Sequence, residues 1–182
     1  MHLIHAVTDG TGLRENTIAT VASLYPDVEA ICIREKQLSE QDTCLKIKQL
    51  IDRGIPAKKL IVHSHPDLAI QYHLQGVHFT EFDKRLKAFK QSYPYMKAGK
   101  SVHSVATARQ AEIDGADYIY FGHIFTTSSK EGLPGRGLNA LRSVTKAVSI
   151  PVIAIGGIHS GNVKTVMEAG AAGTAMISAF FK

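Results

Sequence analysis

Short apolar runs rich in β-branched residues alternate along the chain with longer amphipathic ones. The runs "LIHAVTD" (3–9), "VEAICIRE" (28–35), "KLIVHS" (59–64), "GVHF" (76–79), "AGKSVH" (98–103), "YIYFGHIF" (118–125), "PVIAIGG" (151–157) and "GTAMISA" (173–179) read as strands. Three intervening stretches carry clear helix signals. "SEQDTCLKIKQLIDRG" (39–54) starts at a serine cap, places Leu45, Ile47, Leu50 and Ile51 as its apolar residues, and ends at Gly54. "SVATARQAEIDGAD" (104–117) begins at Ser104 and stops at Gly115, and "SGNVKTVMEAGAAG" (160–173) sets Val163, Val166 and Met167 on one face before Gly170. Near-continuous apolar strands separated by helices predict a parallel sheet covered on both faces. Eight such units predict an α/β protein of the (β/α)8 TIM-barrel type, a single domain over 1–182, with a doubly wound open sheet as the alternative. Only "FFK" follows the last strand candidate, so the barrel is expected to lack its eighth helix. A homodimer could cover that face.

Composition narrows the setting more than the chemistry. Hydrophobic residues make up 45% and charged residues 20%, so the chain can bury a core. No run approaches the roughly 20 apolar residues of a membrane span, and the N-terminus shows no basic leader, which predicts a cytoplasmic protein without membrane partners. Two cysteines, Cys32 and Cys44, are too few for a disulfide framework. The net charge of +5 is spread out. Its densest stretch, "FDKRLKAFK" (82–90), reads as the solvated face of a helix, with a nucleic-acid patch as the alternative, so no nucleic-acid partner is expected.

In a barrel of this type, chemistry sits at the C-terminal ends of the strands. That rule selects Asp9, Arg34, Glu35, Lys36, His63, His65, His103, His123, Gly156, Gly157 and Ser178. In "CIREK" (32–36) alternation aims Arg34 and Lys36 the same way, with Glu35 opposite, giving two cations for an anionic substrate. A surface ion-pair cluster is the other reading of that stretch. The glycine pair in "AIGGIHSGN" (154–162) lets main-chain amides approach an anion, and Ser178 ends the next strand, so a phosphate is expected after strands seven and eight. The histidines of "VHSHPD" (62–67) are read as loop residues, a zinc or iron site being the alternative. "FTTSSKEGLPGRG" (125–137) follows His123 as a polar loop able to touch substrate.

Taken together, "IREK", "LIVHSHPDLA", "GVHF", "KSVHS", "GADYIYFGHIFTTSSK" and "PVIAIGGI…AGAAGTAMISAFF" resemble the thiamin phosphate synthase superfamily from the first strand to residue 180. In that superfamily an Asn–Asp pair follows strand three, its Asp helping to hold Mg2+ and a pyrimidine diphosphate, and a second acidic magnesium ligand follows strand four. Here the first two places are His63 and Ser64, and the second region reads "HFTEFD". Synthases also carry "GPIF" where this chain has "GHIF", and that histidine resembles the TenI-type branch. The branch implies an isomerase, a thiazole tautomerase that aromatises a carboxythiazole phosphate by acid/base proton transfer, with no metal or cofactor. On that reading His123 is the base and Lys36 the acid. Arg34, Ser101, Thr127, Ser128, Ser129 and Lys130 bind the thiazole phosphate, and Gly156, Gly157, Ile177 and Ser178 hold its phosphate. The alternatives are a thiamin phosphate synthase, a transferase, or a regulatory protein affecting exoenzyme production.

Overall fold

The computed structural model describes residues 2–127 and 130–181. Eight parallel strands close into a barrel in chain order, β1 (Leu3–Val7), β2 (Ala30–Ile33), β3 (Leu60–His63), β4 (Gly76–Phe79), β5 (Lys97–Val102), β6 (Tyr118–Gly122), β7 (Val152–Ile155) and β8 (Gly173–Met176). Closure is made by β1 against β8, where Leu3 pairs with Gly173 and Ala6 with Met176. Seven α-helices lie between the strands among the described residues: α1 (Glu15–Leu24), α2 (Glu40–Asp52), α3 (Pro66–Gln71), α4 (Leu86–Ser92), α5 (Val105–Ile113), α6 (Gly137–Thr145) and α7 (Val163–Glu168). After β8 the described chain makes one turn, in which the amides of Phe180 and Phe181 donate to the Ile177 carbonyl, and the Phe181 ring is buried.

The expected TIM-type barrel is therefore what the chain forms, with shorter elements than the pattern suggests. Apolar residues continue past the hydrogen-bonded ladder at several strand ends: Ile124 and Phe125 pack on the core after β6 has ended at Gly122. Ser39 caps α2 by accepting from the Asp42 amide at 3.0 Å. Ser104 does the same for α5 from Thr107 at 3.1 Å, and Thr107 completes a capping box. Leu45 departs from expectation. It stands 64% exposed on α2, whose buried face is Thr43, Ile47 and Leu50. The basic stretch at 82–90 ends in α4, an amphipathic helix burying Leu86 and Phe89.

Period-two alternation sorts the strand residues into two cores. Ala6, Ile31, Ile33, Val62, Phe121 and Ala154 point outward and pack with helix residues such as Ile18, Ile47 and Leu141. Val7, Ala30, Cys32, Ile61, Tyr118, Tyr120, Ile153 and Ala175 point inward and fill the barrel. This lumen also contains polar side chains, each with a partner. Tyr120 Oη is 2.7 Å from His5 Nδ1, and His78 lies 3.1 Å from Tyr118 Oη through Nδ1 and 2.9 Å from Ser101 Oγ through Nε2. A neutral imidazole suits His78, since one ring nitrogen donates while the other accepts. Burial, aided by Lys97, pushes His5 down to a pKa of about 3, and burial also holds His78 well below its usual value.

Two tests follow from the lumen. A Cβ on Gly99 would sit 2.1 Å from the Tyr118 ring, so Gly99→Ala should destabilise the fold by about 1–3 kcal/mol in urea denaturation. A loss near zero would contradict the packing. The second concerns acid. The unfolded chain protonates His5 near pH 6.5, whereas the folded chain does so only near pH 3, so the unfolded state holds more protons between those values. Stability should fall as pH drops through that window, and His5→Asn should flatten the slope. Equal slopes in both proteins would show that His5 titrates freely.

Candidate active site

At the C-terminal rim the strand ends enclose a cavity of about 290 Å3. Every described residue singled out as catalytic or binding from the sequence lines it: Arg34, Lys36, Ser101, His123, Thr127, Lys130, Gly156, Gly157, Ile177 and Ser178. Ser128 and Ser129 lie outside the described residues. His63, Glu81, Phe82, His103 and Tyr120 complete much of the wall. A wider groove of about 690 Å3 adjoins it and shares Thr127, Gly157 and Ser178.

One part of the wall is cationic. Arg34 and Lys36 leave the end of β2 on the cavity side, while Glu35 turns back, is buried, and accepts from the Gly12 amide at 2.6 Å. Among the described residues no carboxylate lies within ion-pair distance of Arg34, Lys36 or Lys130. Arg34 foremost, then burial, then Lys130, hold the Lys36 ammonium below its usual pKa. His63, on β3, is held down to about 4, mostly by burial and then by Arg34 and Lys36. This is an electropositive pocket that an anion would relieve.

Another part offers main-chain donors. Gly156 and Gly157 both adopt positive φ, 100° and 66°. A Cβ on Gly156 would meet His123 Cβ at 2.3 Å, and one on Gly157 would meet the Thr126 carbonyl at 2.7 Å, so only glycine fits this turn. Asn162 Nδ2 donates to the Gly157 carbonyl at 2.9 Å and fixes the loop. Among the described residues, the amides of Gly157 and Ser178 donate to no main-chain carbonyl. Free amides beside a serine hydroxyl suit a phosphate.

His123 lines the same cavity beside Gly156, half-buried, after a cis Gly122–His123 peptide. Its Nε2 donates to the Leu133 carbonyl at 3.3 Å, and its own carbonyl accepts from the Arg136 amide at 2.9 Å. Arg136 Nε donates to the Gly122 carbonyl at 2.8 Å, and Nη1 donates to the His103 carbonyl at 3.1 Å, tying the 125–137 loop to the rim. Glu81 and His103, the latter selected by the strand-end rule but assigned no role, form a pair with His103 Nδ1 donating to Glu81 Oε2 at 2.8 Å. Burial pushes the Glu81 carboxyl up, but hydrogen bonds from His103 and Thr107 together outweigh it and hold the carboxyl below its usual value. His65 does not line the cavity; it stands at the N-terminal boundary of α3, with no side-chain capping bond.

The residues present do not fit the magnesium site that the resemblance implies. Ser64 Oγ and His63 Nδ1 lie 2.9 Å apart where the resemblance implies an Asn–Asp pair whose Asp would supply a carboxylate ligand. Asp83 is engaged by Arg85 Nη2 at 2.7 Å, and Glu81 also accepts the His103 amide at 3.0 Å. No group of three or more His, Cys, Asp or Glu side chains converges among the described residues. Magnesium needs near-octahedral oxygen coordination, which this donor set does not build.

A family model described as thiamine monophosphate synthase matches residues 4–180. The chain belongs to the thiamine monophosphate synthase family. The thiamine-phosphate synthase of Chloroflexus aurantiacus is 35% identical over 184 residues, which cover 97% of this chain and 83% of that protein. The thiamine-phosphate synthase of Methanocella arvoryzae is 46% identical over 121 residues, covering 65% and 57%. The solved thiamine phosphate pyrophosphorylase of Pyrococcus furiosus superposes with a TM-score of 0.80 at 29% identity, over 97% of this chain and 85% of that one. These relatives overturn the expectation of an isomerase. They are named as synthases, hence transferases, and the thiazole tautomerase reading drawn from "GHIF" is corrected accordingly. Among the described residues no helix of this family member is long and apolar enough to cross a membrane.

Because Arg34 depresses both His63 and Lys36, Arg34→Ala should raise both titration midpoints, read by NMR of the imidazole and ammonium groups. Unchanged midpoints would show that the guanidinium lies too far away to matter.

Proposed function

We propose that this chain is a thiamin phosphate synthase. It would join a pyrimidine methylene carbon to the ring nitrogen of a thiazole phosphate and release pyrophosphate. The observation that carries the reading is the pairing, in one cavity, of an amide-and-hydroxyl cradle with a cluster of three cations. A reaction between two anionic substrates needs two such sites, close together and chemically different.

The thiazole phosphate is assigned to Gly156, Gly157, Ile177 and Ser178, with Thr127 beside them. The diphosphate is assigned to Arg34, Lys36 and Lys130. The nitrogen lone pair forms the new C–N bond while the C–O bond to the diphosphate breaks, and that electron pair departs with the pyrophosphate. No proton has to move. His123 therefore acts as cavity wall, not as base, and Lys36 acts through its charge, not as an acid. Fixed cations stabilise the charge that gathers on the leaving oxygen, and holding both partners in one cavity removes the cost of their encounter. Phe82, 86% exposed on the rim, offers a face on which a pyrimidine could stack.

The test is to mix the purified chain with the pyrimidine diphosphate and the thiazole phosphate and to follow thiamin phosphate by chromatography. Product should form, and Lys36→Ala should lower kcat/KM by about 10²–10³-fold. No product from a folded chain would overturn the assignment.

A further inference from the structure

We infer that the diphosphate of the second substrate is bound by Arg34, Lys36 and Lys130 directly, with protein cations in place of a divalent metal. The inference rests on the synthase reading and adds to it the way the leaving group is held. Three observations on different elements support it. The carboxylate-bearing position after β3 is taken by His63 and Ser64, which hydrogen-bond to each other. The two carboxylates after β4 are already engaged, Glu81 by His103 and Asp83 by Arg85 in a bidentate pair. The three cations of the cavity have no carboxylate partner among the described residues.

These features are complementary. A pocket that gathers metal ligands presents unpaired carboxylates, and such carboxylates would neutralise nearby arginine and lysine side chains. Here the reverse holds: Glu81, in the cavity wall, and Asp83 are each engaged by a neighbouring side chain, and the three cations have no carboxylate partner among the described residues. Arg34 can grip two phosphate oxygens at once through its planar fork, whereas Lys36 and Lys130 act as point charges. The depressed Lys36 pKa is what crowding of positive charge produces before an anion arrives. An arriving diphosphate would reverse that shift, so binding at alkaline pH should draw a proton onto Lys36.

Inorganic pyrophosphate is the probe, titrated calorimetrically into the full chain with EDTA and, separately, with MgCl2. Saturable binding in EDTA is expected, with affinity within about threefold of that in magnesium and at least about tenfold weaker in Lys36→Ala and in Lys130→Ala. Both lysines are exposed, so circular dichroism should show both variants folded. At alkaline pH, repeating the titration in buffers of different ionisation heat should reveal proton uptake that Lys36→Ala loses. Binding only with magnesium, no binding in either condition, or binding indifferent to both lysines would each overturn the inference. Failure here is separable from failure of the synthase reading. Thiamin phosphate formed only with magnesium would sink the metal-free site and leave the transferase. Metal-free pyrophosphate binding without product would do the opposite.

Discussion

Barrel closure between β1 and β8 governs everything placed at the rim. Once eight short parallel strands form a ring, each strand residue faces either the helices or the lumen, and all eight C-terminal ends open on the same side. The lumen is too narrow to leave polar groups unpaired without cost. His5, His78, Tyr118, Tyr120 and Ser101 meet that constraint by bonding one another, and Gly99 makes room for the Tyr118 ring. Ser101 and Tyr120 then form part of the cavity wall, so the packed interior is also the base of the site.

Above that base, the rim keeps its charges sorted. Acids are tied to main-chain amides or to side chains: Glu35 to Gly12, Glu81 to His103, Asp83 to Arg85. Arg34, Lys36 and Lys130 are left facing the cavity. In the same cavity, Gly156 and Gly157 can take their conformations only because they lack side chains, and a Cβ on the first would displace His123. The two proposed anion sites would thus differ in their physics, one using side-chain charge with no carboxylate partner among the described residues and the other backbone amides in a turn that only glycine fits. Two substrates that both carry phosphate can be told apart by such a pair, because a fixed amide cradle suits one phosphate and a spread of long cations suits a bulkier, more highly charged group.

Much of this was legible in the sequence, because barrels expose their logic locally. Apolar runs at regular spacing marked all eight strands, and the caps at Ser39 and Ser104 marked two helices closely. Alternation in "IREK" correctly separated Arg34 and Lys36 from Glu35. Other features were invisible because they depend on distant partners. Glu81 and His103 are 22 residues apart and meet only across neighbouring strands. His5 and His78 looked like ordinary strand residues, and only the inward side of the pleat makes them lumen groups. Leu45 misled because an apolar residue near an amphipathic stripe need not fall on the buried arc. The activity was misread for a different reason. A single histidine in "GHIF" and a missing carboxylate point to the tautomerase branch, whereas similarity along nearly the whole chain points to synthases.

On the proposed reading one cavity holds two different anions at once, a monophosphate on the amide cradle and a diphosphate on the cations. A crystal structure with thiamin phosphate and pyrophosphate together tests it most directly. The phosphate of thiamin phosphate should lie against Gly157 and Ser178, with pyrophosphate against Arg34, Lys36 and Lys130 in the same molecule. Both anions competing for a single position, or pyrophosphate bound outside the cavity, would contradict it.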